Sequence, residues 1–441
     1  MTTFLQLHGL FALPLHNANR DENGRPKTML YGGVTRGRIS SQARKRAIRF
    51  GPHFDAGGRA IRTRQKGAEA ARDLMDVGVP WEKAMVAGLM IGFAIGGSKN
   101  KPFKTLKEGI KGIQQACKPP SDPNTKDKSP GSEGGDGDDM LKNTKKRFND
   151  AYRRQTNLNL SPDDALHRAR LEALRTEQGL VISQREIAGI KELVERLKAL
   201  VNDEAALDEA LEKFIEPKSN SLLSKEETDL DIALFGRMVA SAPGYNVEAA
   251  CAVSHMVTTH PFTVEADYFS AGEELAMPEL PERGAAITDF AFQGAGVYYQ
   301  HAVLAWDDLL TSLKDEKLAR EGAGRLLEGF AHAMPRGKRN AHSHDVPAQH
   351  LVAEVGDFAP FNLMNAFLDP VANDGDVMTA SVARLRAHHA TLRSAFGGGD
   401  KVEFAAWPPL RLGNEPPEGE VWTFGELLDR VQARLPAGAG A

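Results

Sequence analysis

The sequence has little cysteine, few aromatic residues, almost no net charge and no long apolar run. Two cysteines, Cys117 and Cys251, in 441 residues are too few for a disulfide framework, so we expect both to be reduced thiols in a cytoplasm. No apolar run approaches the roughly 18 residues of a membrane span, and the N-terminus lacks a secretory-signal pattern. We therefore expect no membrane partner.

Common metal and nucleotide-hydrolase patterns are also missing. There is no H-E-x-x-H or C-x-x-C, and Gly337-Lys338 lacks the glycine spacing and the following Ser or Thr of a P-loop. Imidazoles and a carboxylate could still ligate zinc or manganese, and these cluster late in the chain at His332, His342, His344, Asp345 and His350. Since no helix-spaced pair accompanies them, we interpret them as a polar loop with sheet histidines; a metalloenzyme is the alternative.

Positive charge, in contrast, is concentrated in one stretch. Residues 20–66 carry 13 Lys or Arg against three Asp or Glu, although the whole chain has a net charge of −4. Ser40 or Ser41 can cap the start of a helix, and Lys45 and Arg49 then share one face of it. Helix N–H groups and fixed cations form an anion site, and repeated sites suit a nucleic-acid backbone. The alternative is a solvated basic helix.

The order of elements predicts the fold class. Residues 3–13, 245–258, 294–306 and 350–355 read as strands, 41–50 and 313–334 as helices, and 14–39 as a long loop. Capping-box spacing marks further helix starts at Ser183…Glu186, Ser224…Glu227 and Thr423…Glu426. If the helical segment at 55–240 and the hairpin at 260–293 are treated as insertions, the remaining elements follow the order β-α-β-β-α-β. We predict an α+β protein with an RRM/ferredoxin-like palm, a large helical fingers insertion and a β-hairpin thumb.

The predicted domains follow from this order. Residues 118–139 are rich in Pro, Gly, Ser and charge, so we expect them to be disordered. The segments are 1–54 (palm, with the RNA-binding loop and basic helix), 55–240 (fingers), 241–259 (palm strand), 260–293 (thumb hairpin) and 294–441 (remaining palm and C-terminal helices).

Several motifs, in order along residues 4–345, resemble one family. They are NRDENGRPKTMLYGG with RISSQARKRAIR, then DIALFGRM, SHMVTTHPFTVEADYFSA, FQGAGVYYQHAVLAWDDL and MPRGKRNAHSHD. Together they are similar to CasC, the backbone subunit of the type I-E CRISPR surveillance complex, Cascade. The chain is longer than usual for that family, mainly in the fingers.

The resemblance implies a non-enzymatic, cytoplasmic, prokaryotic protein of antiviral defence, with no cofactor. Several copies would form a helical filament along one crRNA, with other Cascade subunits as partners. Each palm would grip the RNA backbone, and each thumb would displace one guide nucleotide at regular intervals. The remaining guide segments would pair with target double-stranded DNA, so base pairing reads the sequence and the protein needs only shape and phosphate contacts.

The resemblance also assigns roles to residues by motif. Met238 and Phe269 would pack against bases at the kink. The residues implied to bind the RNA backbone are Arg20, Lys27, Arg36, Arg38, Ser40, Gln42, Lys45, Arg46 and Arg49. A weaker positional match implies that a finger patch touches DNA, at Lys142, Lys145, Lys146 and Arg147.

One further alternative is an RNA-cleaving backbone subunit. Related subunits in other CRISPR types cut target RNA with an aspartate in a palm loop, and Asp21 lies in a comparable loop here. Such an enzyme would need a divalent metal ion.

Overall fold

The computed structural model describes residues 2–54, 58–120, 140–158, 160–216, 222–224, 229–272, 285–405 and 418–437. The chain divides into two compact units. The first unit comprises residues 1–57, 233–235 and 249–441, and the second comprises 58–232 and 236–248. Most of the segment 118–139, for which the composition predicts disorder, lies outside the described residues. So does Glu227 of the predicted cap at Ser224…Glu227. Among those residues, no helix is long and apolar enough to cross a membrane.

The first unit is built on a mixed sheet, and the second contains a short strand pair. In chain order the strands are β1 (Phe4–His16), β2 (Thr28–Tyr31), β3 (Val34–Ile39), β4 (Ile61–Thr63), β5 (Leu180–Ile182), β6 (Cys251–Val253), β7 (Met256–Thr258), β8 (Glu265–Gly272), β9 (Ala285–Ala305), β10 (His350–Gly356), β11 (Asp400–Ala405) and β12 (Glu420–Val421). The large sheet has the order β12-β11-β10-β1-β9-β7-β3-β2, while β6 and β8 also pair with β9. Strands β4 and β5 pair with each other.

The helices fall mainly in runs between these strands, above all between β4 and β5 and between β5 and β6. They are α1 (Ser41–Arg49), α2 (Lys66–Met75), α3 (Trp81–Ala94), α4 (Leu106–Ala116), α5 (Met140–Thr156), α6 (Pro162–Ala173), α7 (Gln184–Ala199), α8 (Glu204–Ile215), α9 (Leu230–Phe235), α10 (Trp306–Leu313), α11 (Glu316–His332), α12 (Arg339–His342), α13 (Val377–Phe396) and α14 (Phe424–Arg434). Short 3₁₀ helices span Pro243–Tyr245 and Leu363–Phe367. The α+β class predicted from the sequence is confirmed.

Strand β1 lies at the centre of the sheet and is buried on both faces. Because side chains alternate along a strand, Phe11 faces one layer, where its ring is 6.0 Å from that of Phe330 in α11. Leu10 faces the other layer and packs in a cluster with Tyr299 and with Leu385 of α13. The sheet is therefore covered by helices on both sides, as its apolar run predicts.

The predicted loop at 14–39 is wrong in its second half, which forms the hairpin β2–β3. Gly32 and Gly33 occupy its two-residue turn with φ of +60° and +79°, the conformation that glycine adopts without strain and that fits hairpin twist. The strand Thr28–Tyr31 is only partly buried and lacks an alternating apolar pattern, so the local sequence does not predict a strand there. Residues 285–305 form one continuous strand rather than two, and the strands β11 and β12 were not predicted.

The second unit has a helical core in which α2 and α3 approach closely. A Cβ atom added to Gly88 would lie 2.5 Å from the Gly67 carbonyl oxygen, so neither position has room for a side chain. Gly88 belongs to the small, apolar segment MVAGLMIGFAIGG, whose composition suits such a close helix contact. Ser183 and Glu186 form the predicted capping box at the start of α7.

Candidate nucleic-acid interface

The turn at residues 19–27 is fixed against the junction of β3 and α1. The backbone N–H of Lys27 donates to the Asn19 carbonyl at 3.0 Å, and that of Arg38 donates to the Lys27 carbonyl at 2.8 Å. The Asn19 side-chain oxygen accepts from the Ser40 N–H at 2.9 Å. These bonds bring three segments of the basic stretch together, although they are separated in sequence.

Helix α1 has Ser40 as its N-cap residue. The Ser40 hydroxyl accepts a hydrogen bond from the Ala43 N–H at 3.4 Å. Of the two predicted capping residues, Ser40 is therefore confirmed. Ser40 is itself buried, whereas Gln42 in the first turn is exposed.

Two arginines of the basic stretch are fully buried. Arg36 donates to the backbone carbonyls of Tyr31, Thr258 and Phe367 at 3.2, 3.1 and 2.7 Å, and burial lowers the pKa of its guanidinium. Its donors are directed at backbone carbonyls inside the protein, an arrangement that does not favour the predicted contact of Arg36 with RNA phosphate. Its role is to join β3 to β7 and to the 3₁₀ helix Leu363–Phe367.

Arg44 has a comparable position on α1. Its guanidinium donates to the Gln300 side chain and to the Phe330 carbonyl, both at 2.8 Å. Burial lowers the pKa of Arg44 to about 9. This side chain therefore attaches the helix to the sheet and to α11.

Lys45 and Arg49 are both half-buried. The Lys45 ammonium donates to the Cys251 carbonyl at 3.3 Å and lies 5.8 Å from the Phe235 ring centre. The Arg49 guanidinium lies 5.4 Å from the ring centre of Phe50. Both cations thus have intramolecular contacts that an RNA phosphate would have to share or replace.

Arg20 and Arg46 are exposed, and Lys27 and Arg38 are half-buried. The pKa of His255 is lowered, first by burial and then by the nearby charges of Arg38 and Lys27, which places these two cations around one imidazole. The Arg38 Nε atom is buried and has no hydrogen-bond partner in the described part of the chain. These four residues form the cationic surface of the first unit.

A cavity of about 530 Å³ adjoins this surface. Helix α1 contributes Arg46 and Phe50 to its lining, and the segment after α11 contributes Arg336 and Arg339, with Asp345 nearby. Phe50, Arg336 and Arg339 are not among the residues predicted from the sequence, although Arg336 and Arg339 lie within the resemblance motif MPRGKRNAHSHD.

The predicted thumb is a two-stranded ribbon of β8 and the first part of β9. Every residue of β8 is exposed, and Phe269 is 43% exposed. Tyr268 pairs with Phe290 across the ribbon, their rings 5.4 Å apart, and both are more than half exposed. The tip, residues 273–284, lies outside the described residues. An exposed apolar ribbon of two strands has little independent stability.

Met238, in the second unit, is 74% exposed although both of its neighbours are buried. Arg237 forms hydrogen bonds to both oxygens of Glu186, at 2.8 and 2.9 Å. The Val239 N–H donates to Asn246 at 2.7 Å. The backbone on either side therefore holds this apolar side chain in solvent.

The finger patch lies on helix α5 of the second unit. Lys142, Lys145 and Lys146 are exposed. Arg147 is half-buried, and its guanidinium lies 3.5 Å from the Glu177 carboxylate. Arg147 is therefore the least accessible of the four residues assigned to DNA.

Three of the four histidines of the alternative metal cluster contact different partners. His350 is buried 3.2 Å from Glu403, His344 bonds to the Pro335 carbonyl at 2.9 Å, and His332 stacks on His53 with ring centres 5.7 Å apart.

Another group has ligand atoms that converge within 4.8 Å: His8, Glu354 and His389, all buried. The Glu354 carboxylate already accepts from Gln6 and pairs with Arg393 and His389. Because the positive charge of Arg393 beside the Glu354 carboxylate would repel a metal cation, this group is better explained as a buried hydrogen-bond network.

Asp21, the aspartate of the ribonuclease alternative, has a local structural role. One of its carboxylate oxygens accepts from the backbone N–H groups of Asn23 and Arg25, both at 2.9 Å. This is the geometry of a turn-forming aspartate.

Two solved structures share this fold over nearly the whole chain. One, described as a CRISPR RNA-guided surveillance complex, pre-nicking, has a chain with a TM-score of 0.67 and 22% identity, covering 98% of this chain and 99% of that one. The other, described as a CRISPR RNA-guided surveillance complex, gives a TM-score of 0.59 and 18% identity with the same coverage. No curated protein matches the sequence significantly. The sequence pattern of the CT1975-like protein family matches residues 5–411, and the chain therefore belongs to that family.

Proposed function

We propose that this protein is a non-catalytic, RNA-binding backbone subunit of a CRISPR surveillance complex, of the CasC kind found in type I-E Cascade. Family membership and the fold shared with chains of RNA-guided surveillance complexes support this role. The observation that carries it is the cationic surface, where Arg20, Lys27, Arg38 and Arg46 remain accessible while the buried arginines hold their supporting elements in place. Phosphate contacts of this kind fix RNA without reading its sequence.

The remaining parts of the proposal follow the predicted palm, fingers and thumb. The strand order β10-β1-β9-β7 supports an RRM/ferredoxin-like palm, because α1 follows β1 and α11 precedes β10 in the chain. The exposed ribbon supports a thumb that contacts a second copy, and the exposed lysines of α5 support fingers that contact target DNA. Copies would then form a filament along the crRNA, beside other Cascade subunits in the prokaryotic cytoplasm.

The test is to purify the protein with and without a co-expressed guide RNA and to measure size and nucleic-acid content. We expect a ladder of RNA-bound assemblies in the first case. A protein that stays monomeric and free of RNA in both cases would refute the proposal. Incubating the assembly with Mg²⁺ and a guide-paired RNA tests the alternative, because cleavage lost on Asp21→Ala would identify a ribonuclease.

A further inference from the structure

The exposed Met238 lies between two buried neighbours on a short paired segment. Arg237 and Val247 exchange both backbone hydrogen bonds, each at 2.9 Å, and the Val239 N–H donates to the Asn246 side-chain oxygen at 2.7 Å. Arg237 is 4% exposed and Val239 is 1% exposed, against 74% for Met238. The peptide groups on both sides of Met238 are therefore fixed, while its side chain stays in solvent.

The guanidinium of Arg237 has an acceptor at each of its nitrogens. Its Nη1 atom donates to both oxygens of the Glu186 carboxylate, its Nη2 atom to the Ser224 carbonyl at 2.9 Å and its Nε atom to the Tyr245 carbonyl at 3.2 Å. The side chains of Arg237 and Glu186 are each 2% exposed. Because a planar guanidinium with all of its nitrogens bonded has a single orientation, the Arg237 side chain fixes the backbone from which it extends.

The Glu186 carboxylate joins three segments of the second unit. Besides the bonds from Arg237, it accepts from the Ser183 N–H at the start of α7 and from the Ser224 N–H, both at 2.8 Å. A capping box requires only the bond to the cap N–H, so the bonds to Ser224 and Arg237 are additional. Helix α7 is thus the fixed point from which the segment carrying Met238 is held.

Stability alone is a weak explanation of this buried ion pair. Taking two charges out of water costs free energy that their attraction often only repays, and an apolar pair of similar volume is commonly as stable. An apolar pair, however, would not fix the segment beside Met238 by directed hydrogen bonds. Methionine is unbranched and flexible, so the place that its thioether reaches depends on the backbone that carries it, and contact groups are precise where such bonds support them from behind.

We propose that Glu186 and Arg237, together with Asn246, are positioning residues that hold Met238 at its contact with the bound RNA. The inference rests on the proposed function, because it requires an RNA-binding protein in which Met238 packs against a base. It adds residues that act on the RNA through Met238. None of the three has to touch the RNA itself.

The experiment measures where residue 238 lies along the guide RNA. Met238→Cys introduces an accessible thiol, whereas Cys117 and Cys251 are buried. Assemblies are formed with guide RNAs that each carry one thiol-tethered base, placed at successive positions, and disulfide cross-links are mapped by denaturing electrophoresis. We expect cross-links at a restricted set of positions. Adding Glu186→Gln or Arg237→Lys should lower the yield there about threefold or more and spread it to neighbouring positions, because the reaction depends on the approach and orientation of the two sulfurs.

Lys83→Met is the matched control, because it removes another buried cation of the same unit. Lys83 of α3 pairs with Glu204 and Asp208 of α8 at 2.9 and 2.6 Å, and its side chain is 8% exposed. The change should lower the urea midpoint, as the ion-pair variants do, but should leave the cross-link positions of the Met238→Cys protein as they are. All variants are compared at a temperature at which circular dichroism shows them folded, so that loss of stability and loss of position are separated.

The outcomes separate the positioning from the function. The positioning is refuted, and the function stands, if RNA is bound but Met238→Cys gives no cross-link, if Glu186→Gln and Arg237→Lys keep the pattern of Met238→Cys alone, or if Lys83→Met alters it as much as they do. If the wild-type protein binds no RNA, both are refuted. If neither ion-pair variant folds, Asn246→Ala decides, because Asn246 is exposed and bonds to the Val239 N–H; an unchanged pattern would then overturn the proposal.

Discussion

Two arginines of β3 allow a direct test of which residues of the basic stretch bind RNA. Arg36 and Arg38 are two residues apart on β3, and charge counting treats them alike. Arg36 has three donors on buried carbonyls, whereas the Arg38 Nε atom has no partner in the described part of the chain. We therefore expect Arg38→Ala to affect RNA binding and Arg36→Ala to affect folding.

The magnitudes follow from these contacts. Arg38→Ala should change the free energy of unfolding by no more than about 0.5 kcal/mol. It should reduce the salt slope by roughly 0.7, which is about 2.6-fold in affinity for each fourfold change in salt. Arg36→Ala leaves three carbonyls unpaired, and at about 1 kcal/mol each it should lower the free energy of unfolding by about 3 kcal/mol.

The assays are urea unfolding followed by fluorescence and polarisation of a labelled single-stranded RNA over a range of salt concentrations. Arg430→Ala, at an exposed arginine of α14, is the control and should alter neither measurement. The reasoning would be refuted if Arg38→Ala kept the wild-type salt slope, or if Arg36→Ala kept the wild-type stability and lost the slope instead.

Three further predictions concern other parts of the chain. Met238→Ala combined with Phe269→Ala should leave the melting temperature unchanged, since both side chains are exposed, but should abolish any periodic tolerance of guide–target mismatches in a mismatch scan. Gly88→Ala should destabilise the protein by about 1–3 kcal/mol through overpacking, whereas Gly189→Ala, with open space around it, should stabilise it by about 0.5–1 kcal/mol; urea unfolding measures both. Burial lowers the pKa of His301 to about 4, so the unfolded chain binds a proton at this residue that the folded chain does not, and as pH drops from 6.5 to 4 His301 should contribute a loss of stability of up to about 1.4 kcal/mol per pH unit; in pH-dependent unfolding, His301→Gln should reduce the slope by that amount, while His8, His16 and His389, whose pKa values burial also lowers, keep the remainder.

Local signals in the sequence predicted several elements well. The apolar run of β1, the cap at Ser40 and the capping boxes that start α7 and α14 each depend on neighbouring residues, and each is present. The hairpin β2–β3 was missed because its first strand carries no alternating pattern. Strand β2 pairs with β3, and β3 pairs with the distant strand β7. A local sequence pattern does not reveal stabilisation by such long-range pairing.

The candidate site was predictable as a region but not residue by residue. Composition located the basic stretch, and it also counted Arg36 and Arg44 as available cations. Their burial depends on acceptors more than 200 residues away, such as the Thr258 carbonyl for Arg36 and the Gln300 side chain for Arg44. Sequence spacing alone gives no sign of which arginine meets such an acceptor.

Helix geometry then determines how α1 divides its basic residues. Successive residues are about 100° apart around a helix with 3.6 residues per turn, so Arg44, Lys45 and Arg46 must point in three directions. Arg44 is fixed inside by Gln300, which directs Lys45 toward the Cys251 carbonyl and Arg46 toward the cavity. One buried arginine therefore sets the orientation of the whole basic face, and a substitution at Arg44 should disturb RNA binding through the helix rather than through a lost phosphate contact.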